Sequence, residues 1–315
     1  MTYEQPKLNH DSEKFKNAQM AELALLKAYN LKEIDHWFTL KDGLRIRVSE
    51  IGEGKPVFVV PGNTGDMFPF IPLLSELNGY KFFIFNRPGG GLSDGMNHEK
   101  VNNIREFVVN IIDEVLDKLE LDKVDFMAHS MGCHWSLWYA MSHPERIHSM
   151  NLIANPGRVM LEKIPLPLKA MTLPIIGNIA VKALVPKKRS QALNGLRRMG
   201  TSDTALKKMP QEFSECYYYF QNLPNYQMST LSLLKTFNAK AENAINGKEL
   251  ESISIPIQLI WGENDTFASI EQGEKIAKSF PIGQFKLIKD AGHMPWIDQP
   301  KAVAEAVKTF LNTKL

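Results

Sequence analysis

Cysteine is almost missing from this chain, with only Cys133 and Cys216 in 315 residues. Two thiols so far apart make no disulfide framework and match none of the common zinc signatures, so we expect a reduced, cytoplasmic setting and no metal. Long apolar runs are missing too. No stretch approaches the roughly 20 residues that a membrane-spanning helix needs. The start, Met1-Thr-Tyr-Glu-Gln-Pro6, has neither the basic nor the apolar region of a secretory signal. Net charge is small: 37 Lys and Arg against 35 Asp and Glu leave +2, which argues against nucleic acid or another polyanion as partner. The Gly89-Gly90-Gly91 run has neither dinucleotide spacing nor a following Gly-Lys-Ser/Thr, so no nucleotide or other cofactor is expected. What remains is a 44% hydrophobic chain, long enough for one large core with an inserted lobe.

The patterning along that core alternates. Trp37 to Leu40, Leu44 to Glu50, Val57 to Val60 and Lys81 to Asn86 read as strands, with Asp42-Gly43 and Gly52-Glu-Gly54 as turns. Asn102 to Leu119 reads as a helix, and an apolar strand follows it. Apolar strands alternating with helices predict a largely parallel sheet with its site at the strands' C-terminal ends. Before this, residues 1–35 look like an appendage. Ser12 to Tyr29 carries apolar residues at helical spacing, a face to be laid on the chain's own core or on a second subunit in a homodimer. From about Pro156 to Leu250 the alternation stops and a helical, proline-interrupted stretch begins, too long for a loop. We therefore divide the chain into an extension (1–35), a core (36–155 and 251–315) and a helical cap (156–250).

Val124-Asp-Phe-Met-Ala-His-Ser-Met-Gly-Cys133 sets one serine between small residues, after a strand and before a helix. A strained strand-to-helix turn that lifts a nucleophile clear of a sheet needs small residues two before and two after it, here Ala128 and Gly132. Ser130 is the candidate nucleophile. A serine hydroxyl needs a base, and the base needs an orienting acid. Strand-like Ile255 to Trp261 ends in a turn bearing Glu263 and Asp265, and Phe285 to Lys289 leads to a loop bearing His293. The other histidines carry no such context; His129 precedes the nucleophile and reads as structural, and His134 and His143 as packing.

Five motifs in order, Val60-Pro-Gly-Asn63, Asn86-Arg-Pro-Gly-Gly-Gly-Leu-Ser93, the Ser130 turn, Trp261-Gly-Glu-Asn-Asp265 and Gly292-His-Met-Pro-Trp296, make the chain from about His36 onward resemble the α/β-hydrolases with an inserted cap. The family order is nucleophile, acid, histidine. The resemblance implies Ser130, Asp265 and His293 as a triad, with Asp265 preferred to Glu263. Some relatives place the acid after the strand following the nucleophile helix; here that position offers Asn155 and no carboxylate. The resemblance also implies an oxyanion hole from the backbone N–H groups of Met131 and Asn63. Pro61 stands where many relatives have His, and a serine nucleophile excludes the carboxylate-ester chemistry of dehalogenases and epoxide hydrolases.

Tyr217-Tyr-Tyr-Phe220, Leu223 and Tyr226 are aromatic enough to line a pocket beneath the cap, and we expect a small to medium lipophilic carboxylic ester as substrate. Two alternatives stand beside it: carbon–carbon bond hydrolysis of ring-cleavage products, and a ligand receptor that retains the fold. Ile164 to Val185, apolar and followed by Pro186-Lys-Lys-Arg189, also suggests peripheral membrane contact through the cap.

Overall fold

The computed structural model describes residues 7–154, 157–160 and 172–313. Asn155, the boundary at Pro156 and residues 164–171 of the apolar cap stretch lie outside them.

Eight strands form one sheet: β1 (Glu33–Thr39), β2 (Arg45–Gly52), β3 (Lys55–Val60), β4 (Tyr80–Asn86), β5 (Val124–His129), β6 (Ile147–Ile153), β7 (Ile257–Gly262) and β8 (Gly283–Ile288). Their order is β1-β2-β4-β3-β5-β6-β7-β8. β2 runs against the rest and every pairing from β4 to β8 is parallel, so the sheet is the mostly parallel one that the alternation predicted. From β3 the chain moves outward to β4 and then returns to the other side as β5. That reversal sets the C-terminal ends of β3 and β5 side by side where the strand order changes direction, the place where parallel sheets hold ligands.

Helices cover both faces. α1 (Glu13–Ala28) begins the described helices, followed in the core by α2 (Ile104–Lys118) and α3 (Met131–Ser142). α2 forms because Asn103 caps it, accepting from the Glu106 N–H at 3.2 Å, and because Ile104, Phe107, Val108, Ile111, Ile112 and Val115 recur at helical spacing and are buried. Between β6 and β7 the described helices are α4 (Pro174–Leu184), α5 (Asn194–Arg198), α6 (Asp203–Lys208), α7 (Gln211–Gln221), α8 (Pro224–Ala239) and α9 (Gly247–Glu251). α10 (Ile270–Lys278) and α11 (Pro300–Asn312) complete the chain. Among the described residues no helix is long and apolar enough to cross a membrane.

α1 lays its buried face, Phe15, Ala18, Ala21, Leu25 and Leu26, on α7 of the same chain. One polar residue lies in that face. Glu22 reaches the wholly buried guanidinium of Arg47 at 2.5 Å, and Arg47 also binds Glu33 at 2.7 Å and Asp35 at 2.6 Å. This explains why β1 starts at Glu33, four residues before the apolar pattern suggests: two of its positions pair with Arg47, so charge hides the strand.

Three carboxylates on one buried cation cannot all ionise cheaply. Burial, aggravated by the neighbouring carboxylates and opposed by Arg47, pushes Glu22 up to about 7 and Glu33 up to about 8. The folded protein therefore keeps protons that the unfolded chain releases near the ordinary carboxylate value. Raised carboxylate values make stability fall as pH rises from that value through about 8, and level off above. Melting temperature should decline across this window, and Glu33→Gln should lessen the decline. Parallel curves for variant and wild type would refute it.

Candidate active site

The turn after β5 carries Ser130 at φ 53° and ψ −122°, a strained left-handed conformation for a residue other than glycine. It persists because the strand before it and the helix after it are both locked in the core. Gly132 has no room for a side chain: a Cβ there would lie 2.1 Å from the Val60 carbonyl oxygen and 2.5 Å from that of Pro61. α3 thus starts hard against the loop after β3. Gly62 of that loop adjoins Ser130, its missing Cβ being 3.4 Å from Ser130 Cβ.

The three residues expected to act together are hydrogen-bonded in one line. Ser130 Oγ lies 2.9 Å from His293 Nε2, and His293 Nδ1 lies 2.8 Å from Asp265 Oδ2. The side chains of both His293 and Asp265 are buried. A carboxylate only accepts, so Nδ1 carries the imidazole proton and Nε2 is left to accept from the serine hydroxyl. Asp265 is itself held, its Oδ1 accepting from the Phe267 N–H at 2.8 Å, while the Phe267 ring packs 4.3 Å from the imidazole. Glu263 is placed elsewhere. It is exposed, and its Oε2 accepts from the Asp290 N–H at 3.0 Å, tying two loops together.

Met131 is the first residue of α3, where a backbone N–H has no intrahelical acceptor. Asn63 lies in the facing loop, and its Oδ1 is buried without a hydrogen-bond partner. The position of that loop is set by a residue that carried no role in the sequence, Arg87. Its guanidinium is wholly buried, lies 4.9 Å over the Trp135 ring of α3, and donates to the Gly62 carbonyl from Nε at 3.0 Å and from Nη2. Burial pulls Arg87 down to about 9, with Asp66 working against that, so it stays cationic at neutral pH. Asp66 is pushed up to about 7 by burial and accepts from the Gly91 N–H at 3.0 Å. The triple glycine is therefore a packing surface against the Gly62 loop. The one signal for Arg87 was its being the only charge in the Asn86 to Ser93 motif.

His129 has a structural task, as its place in the sequence predicts, and that task bears on the site. Burial and the nearby His293 hold it well below the ordinary histidine range, so the ring is neutral. Its Nε2 lies 3.0 Å from the His293 carbonyl oxygen and donates to it, joining the serine turn to the histidine loop. His134 packs between Trp138 and Phe237 and bonds the Asn243 carbonyl oxygen at 2.9 Å. The aromatic group divides: Tyr217, Phe220 and Leu223 are buried around Phe68, whereas Tyr218 and Tyr219 are partly exposed. α8 is tied to the loop after β4, with Asn225 Nδ2 donating to the Ser93 carbonyl at 3.1 Å and Ser229 Oγ accepting from the Met96 N–H at 3.0 Å.

Comparison with known proteins extends this picture. A 2-hydroxy-6-oxononadienedioate/2-hydroxy-6-oxononatrienedioate hydrolase of Klebsiella pneumoniae is 25% identical over 280 residues, covering 85% of this chain and 91% of that protein. One named for the same substrates from Pseudomonas putida is 23% identical over 297 residues, covering 89% and 97%. Among solved structures, a carboxylesterase of Bacillus subtilis superposes with a TM-score of 0.75 at 15% identity, covering 96% of this chain and 100% of that one. The 2-hydroxy-6-oxo-6-phenylhexa-2,4-dienoate hydrolase of a Rhodococcus strain gives 0.72 at 16%, covering 90% and 100%. At such identities these structures speak to fold alone.

The expectation of a lipophilic carboxylic ester is corrected by the curated relatives. Their named substrates contain no ester, and water acting beside the 6-oxo group must split a carbon–carbon bond. The physical reason for the misreading is that Ser–His–Asp chemistry attacks a carbonyl and does not choose the leaving group, and the expected aromatic cap would suit either substrate. The model for the alpha/beta hydrolase fold matches residues 55–300, and the chain belongs to that family of hydrolases.

Proposed function

We propose that this hydrolase cleaves the carbon–carbon bond beside the 6-oxo group of a 2-hydroxy-6-oxo-dienoate, a ring-cleavage product. The observation that carries the reading is the match to the dienedioate hydrolases, which runs across 85% of the chain and 91% of the relative's length. We take residues 156–250 as the cap that excludes water from the site.

In this reading the substrate first takes its keto form, with carbonyls at C2 and C6 and a C3=C4 double bond between them. Ser130 Oγ attacks C6 while His293 Nε2 takes the serine proton, and Asp265 steadies the imidazolium. The oxyanion on C6 faces the N–H groups of Met131 and Asn63. Collapse breaks C5–C6, and the electron pair on C5 runs through C3–C4 onto the C2 oxygen, which takes up a proton. A carbon leaving group is acceptable only because of that delocalisation. Water, deprotonated by His293, then cleaves the ester to Ser130. One water is consumed, and the C6 half leaves as a carboxylic acid.

The test is turnover of 2-hydroxy-6-oxonona-2,4-dienedioate, followed as loss of its conjugated ultraviolet-visible absorbance. We expect bleaching with one equivalent of a four-carbon diacid released. Folded protein whose serine reacts with an organophosphonate but which leaves the dienoate untouched would refute the reading.

A further inference from the structure

The loops that carry His293 and Asp265 are joined to each other, and both are also joined to the segment that follows α5. The His293 N–H donates to the Met199 carbonyl at 2.8 Å, and Thr266 Oγ1 donates to the Arg198 carbonyl at 3.0 Å. Gly200, at φ +90°, has backbone on both sides. A Cβ there would lie 2.0 Å from the Asn264 carbonyl oxygen and 3.3 Å from Gly292 Cα. One half-buried carboxylate closes this arrangement. Asp298, at the end of the Pro295–Asp298 turn, accepts from the Ser202 N–H through Oδ1 at 2.9 Å and from the Gly292 N–H through Oδ2 at 3.1 Å.

We propose that Arg198–Ser202 is a strap that seats the two triad loops and that Asp298 is its anchor, a positioning residue for His293. The inference rests on the triad reading and is independent of the substrate. Its physical basis is that His293 is held at three backbone points. Its carbonyl accepts from His129 in the core, its own N–H reaches the strap, and the N–H of Gly292 before it shares a carboxylate with the strap. Two of the three depend on the inserted segment. Charge-assisted bonds from one rigid carboxylate to two N–H groups set the distance between the strap and the loop. A displacement of the imidazole by a fraction of an ångström misaligns it with Ser130 Oγ, which costs rate and leaves substrate affinity largely alone.

The experiment measures phosphonylation of Ser130 by a fluorophosphonate, which needs Ser130 and His293 but no dienoate, together with the downfield proton resonance of the His293–Asp265 hydrogen bond. Asp298→Asn keeps one acceptor and turns an N–H donor toward another donor. We expect phosphonylation slowed by roughly 10- to 100-fold and the resonance shifted or broadened. The exposed change Thr266→Val, which removes the strap's bond to the acid loop, should slow it in the same direction. It decides alone if Asp298→Asn does not fold. Wild-type rates, or slower reaction with an unmoved resonance, would overturn the proposal. A wild-type protein that the probe does not label at Ser130 would instead overturn the triad reading.

Discussion

Ser130→Ala is expected to lower dienoate turnover by roughly 10⁴- to 10⁶-fold, the scale seen when a nucleophile is removed from other triads. The variant keeps the Met131 and Asn63 donors and the whole of His293, but nothing remains to form the covalent bond to C6. Folding should be nearly untouched. Alanine at φ 53° suffers about the same backbone strain as serine, and Gly132 and Arg87, which hold the turn against the Gly62 loop, are unchanged. The experiment compares the bleaching rate and the melting temperature of the two proteins. A residual rate within tenfold of wild type, in a protein that melts where wild type does, would remove Ser130 from the mechanism.

Asp265→Asn should be nearly as damaging, at roughly 10⁴-fold, although it changes one atom. The carboxylate at 2.8 Å from His293 Nδ1 keeps the proton on that nitrogen. An amide can present its N–H₂ there instead, which drives the proton to Nε2, 2.9 Å from Ser130 Oγ, and leaves no lone pair to accept the serine proton. The imidazolium formed during attack also loses its counter-charge. Glu263→Gln is the control. Its side chain is exposed and bonds the Asp290 N–H, so its rate should stay within about twofold of wild type, as exposed substitutions generally do. A reversed ranking of the two variants would assign the acid to Glu263.

The residues of the site were legible to different depths, and the difference is one of range. Ser130 stands out in the sequence because the requirements of its turn lie within two residues on either side: an apolar strand, Ala128, Gly132 and the start of a helix. Asp265 and His293 stand out as turn residues after apolar strands, in an order along the chain that resembles a known family. None of that needs a fold to be known, since strand period, turn sterics and helix capping are local properties of the chain. The mostly parallel sheet followed from the same alternation. Which carboxylate meets the imidazole, Glu263 or Asp265, rests in the sequence on the resemblance alone, whereas the fold places Asp265 at 2.8 Å from His293 Nδ1 and Glu263 against Asp290.

What only the tertiary structure decided involves partners far apart in sequence. Arg47 is an ordinary surface-type residue on a β2 pattern until Glu22, Glu33 and Asp35 surround it, and their charge is also why the start of β1 was missed. Arg87 acquires its place by reaching the Gly62 carbonyl, His129 by reaching that of His293, and Asp298 by bridging Gly292 and Ser202. In each case a backbone polar group exposed by a tight loop takes a side chain from a distant element, and no spacing rule encodes that choice. The serine, histidine and carboxylate that the structure brings into one hydrogen-bonded line are legible in the sequence because their chemistry is fixed by residue type. Their seating is not, because that depends on where the folded chain leaves its unpaired N–H and carbonyl groups.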